Sequence, residues 1–229
     1  MPAIWIDIET LPSEVKPDHA QIDAPSNYKD PVKIEAYQRE KVDDVWRGQA
    51  LDSLLGRVCS IAWAEGAAPV VCRGIWDRTE FQILSELNDV VQNILSDEGK
   101  VMWGGFNLKS FDLSWIWHRA VKYGLPALTD CISRERYPKN VIDVRDFWTG
   151  GDPYGKGKLK DIAKFFGLET IDDMDGMKVL DHFLAEEYDL IAKYNRRDVE
   201  LTREIYWRMV PGNAPMLPKK KDTLASATV

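Results

Sequence analysis

The stretch from Ala3 to Pro12 reads AIWIDIETLP and places Asp7 and Glu9 two residues apart inside an apolar run from Ile4 to Ile8. Side chains at i and i+2 of a strand leave the same face, so both carboxylates point one way and Ile4, Ile6 and Ile8 the other. Two acids so placed can hold a hard divalent cation, because Mg2+ and Mn2+ prefer oxygen donors and accept shared carboxylates. Spacing alone decides little: with 37 acids in 229 residues, about six acid-x-acid triplets arise by chance. The setting decides more, since most such triplets fall on solvated helices or loops and this one interrupts a β-branched strand.

Two further acids carry a similar signal. In GFNLKSFDL, Asp112 falls in the first turn of a helix that follows a strand, beside Phe111 and three residues after Lys109. The helix dipole alone favours an acid there. In the last helix Ile191, Tyr194, Asp198, Leu201 and Ile205 recur at three and four and define a core-facing stripe, with Arg196, Arg197 and Glu200 off it. A lone acid on a buried stripe costs several kcal/mol unless it is paired or binds a cation. Tyr194, one turn earlier, shares that face.

The elements that position these residues can be read in order. After the first strand, Pro12 to Asp52 is a charged, proline-punctuated stretch with one helix, Pro31 to Gly48, expected as an insertion over the surface near Asp7. VCSIAWAEG and APVVCRGIW form a hairpin about Gly66. Thr79 caps a helix to Ser96 whose stripe is Phe81, Leu84, Leu87, Val91 and Ile94. KVMWGGF is a short buried strand, and Ser110 caps a helix that ends at Gly124. VIDVRDFW is a short strand or extended run, followed by helices at Leu159 to Phe166, Met177 to Leu184 and Tyr188 to Met209. The expectation is one α/β domain over residues 1–210, with 12–52 inserted and 211–229 a disordered tail.

Composition sets limits. A net charge of −7 argues against coating nucleic acid by charge alone. It does not exclude a nucleic-acid enzyme, because bound cations offset a carboxylate-rich site. Cys59, Cys72 and Cys131 read as free thiols of a reducing compartment. No membrane span or leader is expected, which places the chain in the cytoplasm. GGDPYGK at 150–156 has the outline of a phosphate-binding loop, but Gly157 stands where Ser or Thr is needed and Pro153 removes an amide. Lys156, Lys158 and Lys160 can contact a nucleic-acid backbone or belong to a plain connector. Trp5, Trp63, Trp103, Trp115 and Trp117 are assigned to the core.

WIDIETLP with Asp7 and Glu9, GFNLKSFD with Asn107, Phe111 and Asp112, and YNRRD with Tyr194 and Asp198 resemble, in order, the three motifs of the DEDD exonuclease superfamily. Tyr194 four residues before Asp198 marks the tyrosine branch. KLKDIAKFFGL and DGMKV are most similar to stand-alone exonucleases related to the proofreading domain of family B DNA polymerases. The resemblance implies an RNase H-like fold, a mixed sheet whose first three strands are antiparallel, flanked by helices. It implies two divalent cations, Mg2+ or Mn2+, held by Asp7, Glu9, Asp112 and Asp198, with Asp7 shared and Tyr194 orienting the attacking water. It implies contacts to a terminal nucleotide near Glu9 and the backbone of Thr10 and Leu11, and near Asn107 and Phe111, core packing being as good an account of Phe111. The implied activity is 3′-5′ hydrolysis of single-stranded DNA or frayed 3′ ends to nucleoside 5′-monophosphates. An exoribonuclease or a non-catalytic nucleic-acid-binding module are the alternatives, and no replication or recombination partner is specified.

Overall fold

The computed structural model describes residues 3–152 and 154–213. The chain opens with strand β1 (Ala3–Leu11), passes through helix α1 (Pro31–Gly48), and returns as β2 (Arg57–Glu65) and β3 (Val71–Gly74). Helix α2 (Glu80–Glu98), β4 (Met102–Gly105), α3 (Asp112–Tyr123), α4 (Pro126–Cys131), β5 (Val141–Asp143) and α5 (Val144–Thr149) follow, and then α6 (Leu159–Phe165), α7 (Val179–Leu184) and α8 (Tyr188–Met209). Among the described residues the strands form one sheet in the order β3-β2-β1-β4-β5. β1, β2 and β3 are antiparallel, and β4 and β5 run parallel to β1, which is the expected mixed sheet.

β1 is central because both of its faces bury apolar side chains. Ile4, Ile6 and Ile8 pack with Ile61 and Trp63 of β2 beneath α2 and α3. The other face is covered too, where the sequence suggests a single core face: Trp5 packs with Ala62, Val199 and Ile205 under α8. Leu11 joins Cys59, Ile191 and Tyr194 in a third cluster. The carboxylates therefore occupy a notch in a helix-covered layer. Gly104 makes room there, since a Cβ on it would lie 2.6 Å from the Trp5 ring.

Local sequence explains most element ends. Thr79 and Gln82 close a capping box at α2, and Gly124, with φ of 66°, ends α3. Three expectations change. The buried stripe of α2 is Ile83, Leu84, Leu87 and Val91, while Phe81 is 45% exposed and meets Tyr123 edge-on. Phe111, and not Ser110, holds the cap position of α3, without a side-chain cap bond. The strand in VIDVRDFW stops at Asp143, whose carboxylate accepts from the Arg145 and Asp146 amides and starts α5. The following glycine loop thus leaves a helix, so the outline of a phosphate loop lacks its strand.

The segment before β2 is anchored as well as exposed. Trp46 near the end of α1 is buried in the third cluster, and its indole N–H donates to Ser13 O at 2.8 Å. Cys59 is buried, Cys72 and Cys131 are half-buried, and all three are free. Trp5, Trp63, Trp103 and Trp115 are core residues and Trp117 packs partly against them. Pro211–Asn213 adds a 3-10 turn after α8, and the tail expected from there on lies, from residue 214, outside the described residues. No helix among the described residues is long and apolar enough to cross a membrane.

Candidate active site

The site forms where β1 loses its parallel neighbour. β4 pairs with β1 only from Ala3 to Trp5, and beyond that the Ile8 amide donates to Asp112 Oδ1 at 2.9 Å. The N-terminus of α3 thus takes over from the missing strand and brings Asp112 to β1. From the other side α8 crosses β1 and β2. Asp7, Glu9 and Asp198 each offer an oxygen within 4.8 Å of one another.

Electrostatics describe an anionic cluster held together by the fold. Burial first, then repulsion from Asp112, Glu9 and Asp198, pushes Asp7 well above the usual carboxylate range. Glu9 rises through burial and then through Asp198, Asp112 and Asp175. Burial raises Asp112 to about 8 against the opposing bond from the Ile8 amide. Asp198 reaches about 6, burial being partly offset by the Tyr194 hydroxyl, Lys160 and Arg197. Tyr194 is pushed far up by burial and by the negative charge of Asp198, Glu9 and Asp7, so it keeps its proton. Four acids that hold protons this strongly are crowded negative charge that a hard, oxygen-seeking divalent cation would offset, and the donor set fits one.

Asn195, Ser60 and Asp143, which the sequence reading passed over, complete the frame together with Lys160. Asn195 is fully buried; its amide donates to Asp7 Oδ2 at 2.6 Å and its carbonyl accepts from Ser60 Oγ at 3.0 Å. Ser60 reaches it beside a register shift in the β1–β2 ladder between Glu9 and Thr10. Asp143 is buried and accepts from the Asn107 and Lys109 amides, which fixes the loop leading to Asp112. Lys160 donates to the Met174 carbonyl and lies 5.6 Å from the centre of the Tyr194 ring, whereas Lys156 and Lys158 are exposed. A signal for Asn195 was present: three residues before Asp198, it borders the same helical stripe.

The residues expected near the nucleotide differ in their surroundings. Thr10 Oγ1 donates to Ala50 O at 2.5 Å, so its hydroxyl is committed to the protein. Leu11 has 0% exposure and its side chain is core, which leaves only its backbone for the contact expected there. Asn107 adopts a left-handed backbone, φ 55°. Phe111 is half-buried against the first cluster, its ring 5.9 Å from that of Trp115, so packing accounts for it.

Comparison with known proteins fits this geometry. Residues 53–223 match the profile of a family described as a predicted 3′-5′ exonuclease related to the exonuclease domain of PolB. That span contains Asp112, Tyr194 and Asp198 and begins after Asp7 and Glu9. Among solved structures the chain is similar to the family B DNA polymerase from the hyperthermophilic archaeon Pyrobaculum calidifontis, with a TM-score of 0.58 and 16% identity. The likeness covers 92% of this chain and 25% of that one, so the chain spans about a quarter of the polymerase's length. At such identity it speaks for the fold, and with the mixed sheet it bears out the RNase H-like architecture. No curated protein matches the chain.

Proposed function

This chain belongs to the family of predicted 3′-5′ exonucleases related to the exonuclease domain of PolB, and we propose that it removes nucleotides from the 3′ end of single-stranded DNA or frayed ends. The products are nucleoside 5′-monophosphates. The observation that carries the reading is the convergence of Asp7, Glu9 and Asp198 within 4.8 Å, with Asp112 docked on the same strand. Asp7, Glu9, Asp112 and Asp198 would hold two divalent cations, Mg2+ or Mn2+. When bound, such ions lower the pKa of water, neutralise charge at phosphorus and assist the leaving 3′ oxygen.

The chain's own residues do the orienting. Asn195 occupies one oxygen of Asp7 and thereby fixes how the carboxylate faces the cluster. Tyr194 presents its hydroxyl to Asp198, whose pKa it lowers, and, keeping its own proton, positions the attacking water without serving as the base.

The test is degradation of end-labelled single-stranded DNA, duplex DNA and RNA in Mg2+, Mn2+ or chelator. Stepwise loss from the 3′ end of the single-stranded DNA, abolished by chelator and by circularising the strand, is the expected result. Rapid cutting of a closed circle, or full activity in excess chelator, overturns the reading, and faster loss of RNA than of DNA replaces the substrate.

A further inference from the structure

The sheet presents a polar row to α8. Glu9 stands opposite Ser60 on β2, Asp7 opposite Ala62, and Ala62 opposite Cys72 on β3. Residues paired across an antiparallel ladder share a face, so Ser60 and Cys72 leave the sheet on the side of the two acids, where α8 lays Asn195 over them. Ser60 and Asn195 are both 0% exposed. Polar groups so deeply buried are costly without partners, and these two satisfy each other: the Ser60 hydroxyl donates to Asn195 Oδ1 at 3.0 Å.

The direction of these bonds is forced. A carboxylate that holds a cation is ionised and can only accept, so Asp7 takes the amide N–H of Asn195, at 2.6 Å from Oδ2. The carbonyl end of Asn195 then faces the sheet, where the Ser60 hydroxyl and the Cys72 thiol, 3.6 Å away, both donate to it. Burial pushes the Cys72 thiol up to about 12, so it keeps its proton, but a thiol is the weaker donor of the two. Ser60 therefore supplies most of what tells the two ends of the amide apart. With Asn195 turned over, its carbonyl would meet Asp7 and repel it. We propose that Ser60 is a positioning residue of the cation site, acting on Asp7 through the orientation of Asn195 and not through its ladder neighbour Glu9. The inference rests on the cation-binding reading above and extends it to a strand that contributes no ligand.

A double-mutant cycle tests this, read as the dissociation constant for Mn2+ by electron paramagnetic resonance in the absence of substrate. Ser60→Ala should weaken Mn2+ binding about three- to tenfold, the worth of one buried hydrogen bond, and Asn195→Ala should weaken it more. Ser60→Ala/Asn195→Ala should bind no worse than Asn195→Ala, because a hydroxyl that works only through the amide has nothing to orient once the amide is gone. Unchanged binding in Ser60→Ala overturns the proposal. So does an equal loss from Ser60→Ala with and without Asn195, which would mean that Ser60 acts through Glu9 or through packing. A wild type that takes up no Mn2+ would instead sink the cation reading, and this one with it.

Discussion

Removing Asp7 or Asp198 takes one charge from a cluster whose members already repel each other. Asp7→Ala and Asp198→Ala should each lower turnover by several orders of magnitude while the metal-free protein melts no lower than wild type, and calorimetric melting beside the nuclease assay checks both. Tyr194→Phe keeps the ring in its cluster and deletes one hydrogen bond. The expected loss of rate is about ten- to a thousandfold, and a loss matching that of Asp198→Ala would mean that the hydroxyl is an obligatory base. Asn195→Ala frees Asp7 to rotate and should weaken Mg2+ binding about ten- to a hundredfold, measured by titration calorimetry without substrate; unchanged binding would reduce Asn195 to packing. Asp7 and Asp198 were legible because an acid among buried apolar neighbours has to be explained. Asn195 was less so, because a neutral amide on a helix stripe raises no such question until its partner, 188 residues away in the chain, is known.

α8, built on strong periodicity, was read with its ends, and so was α1, which proline opens. Those decided by a single carboxylate were not. Asp143 converts a strand into a helix by capping it, and the dipeptide Leu125-Pro126 starts the unforeseen α4 with proline in its first turn. α3 begins without a side-chain cap because Phe111 at the cap position offers no acceptor, and Asp112 after it accepts from the Ile8 amide, a long-range bond that no local pattern contains. The segment of α1 makes a prediction at this scale. Trp46→Ala removes the anchor that α1 buries, a change worth about 3 to 5 kcal/mol in a well-packed site. Amides from Val32 to Leu51 should then exchange faster while those of β1 and β2 stay protected; loss of protection in the sheet would show that the segment is integral to the core.

At the scale of the whole molecule, the site sets the fold against itself in the absence of cations. Asp112 near 8 and Asp198 near 6 lie above the roughly 3.9 of an unfolded aspartate, so the folded state binds protons more tightly than the unfolded one. Their contribution is complete below about pH 4 and is lost as pH climbs through 6 and 8. In chelator the melting temperature should therefore fall over that range, less steeply in Asp112→Asn, and the stabilisation given by Mg2+ should grow over the same range because the ion needs the ionised oxygens. A wild type and variant with parallel profiles would contradict the burial of Asp112. The short pairing of β1 with β4 also leaves one backbone N–H, that of Ile8, in the custody of a side chain that can gain or lose its charge. Its nuclear resonance and exchange rate become a built-in gauge from which the loading of the cluster can be followed in the intact enzyme without a label.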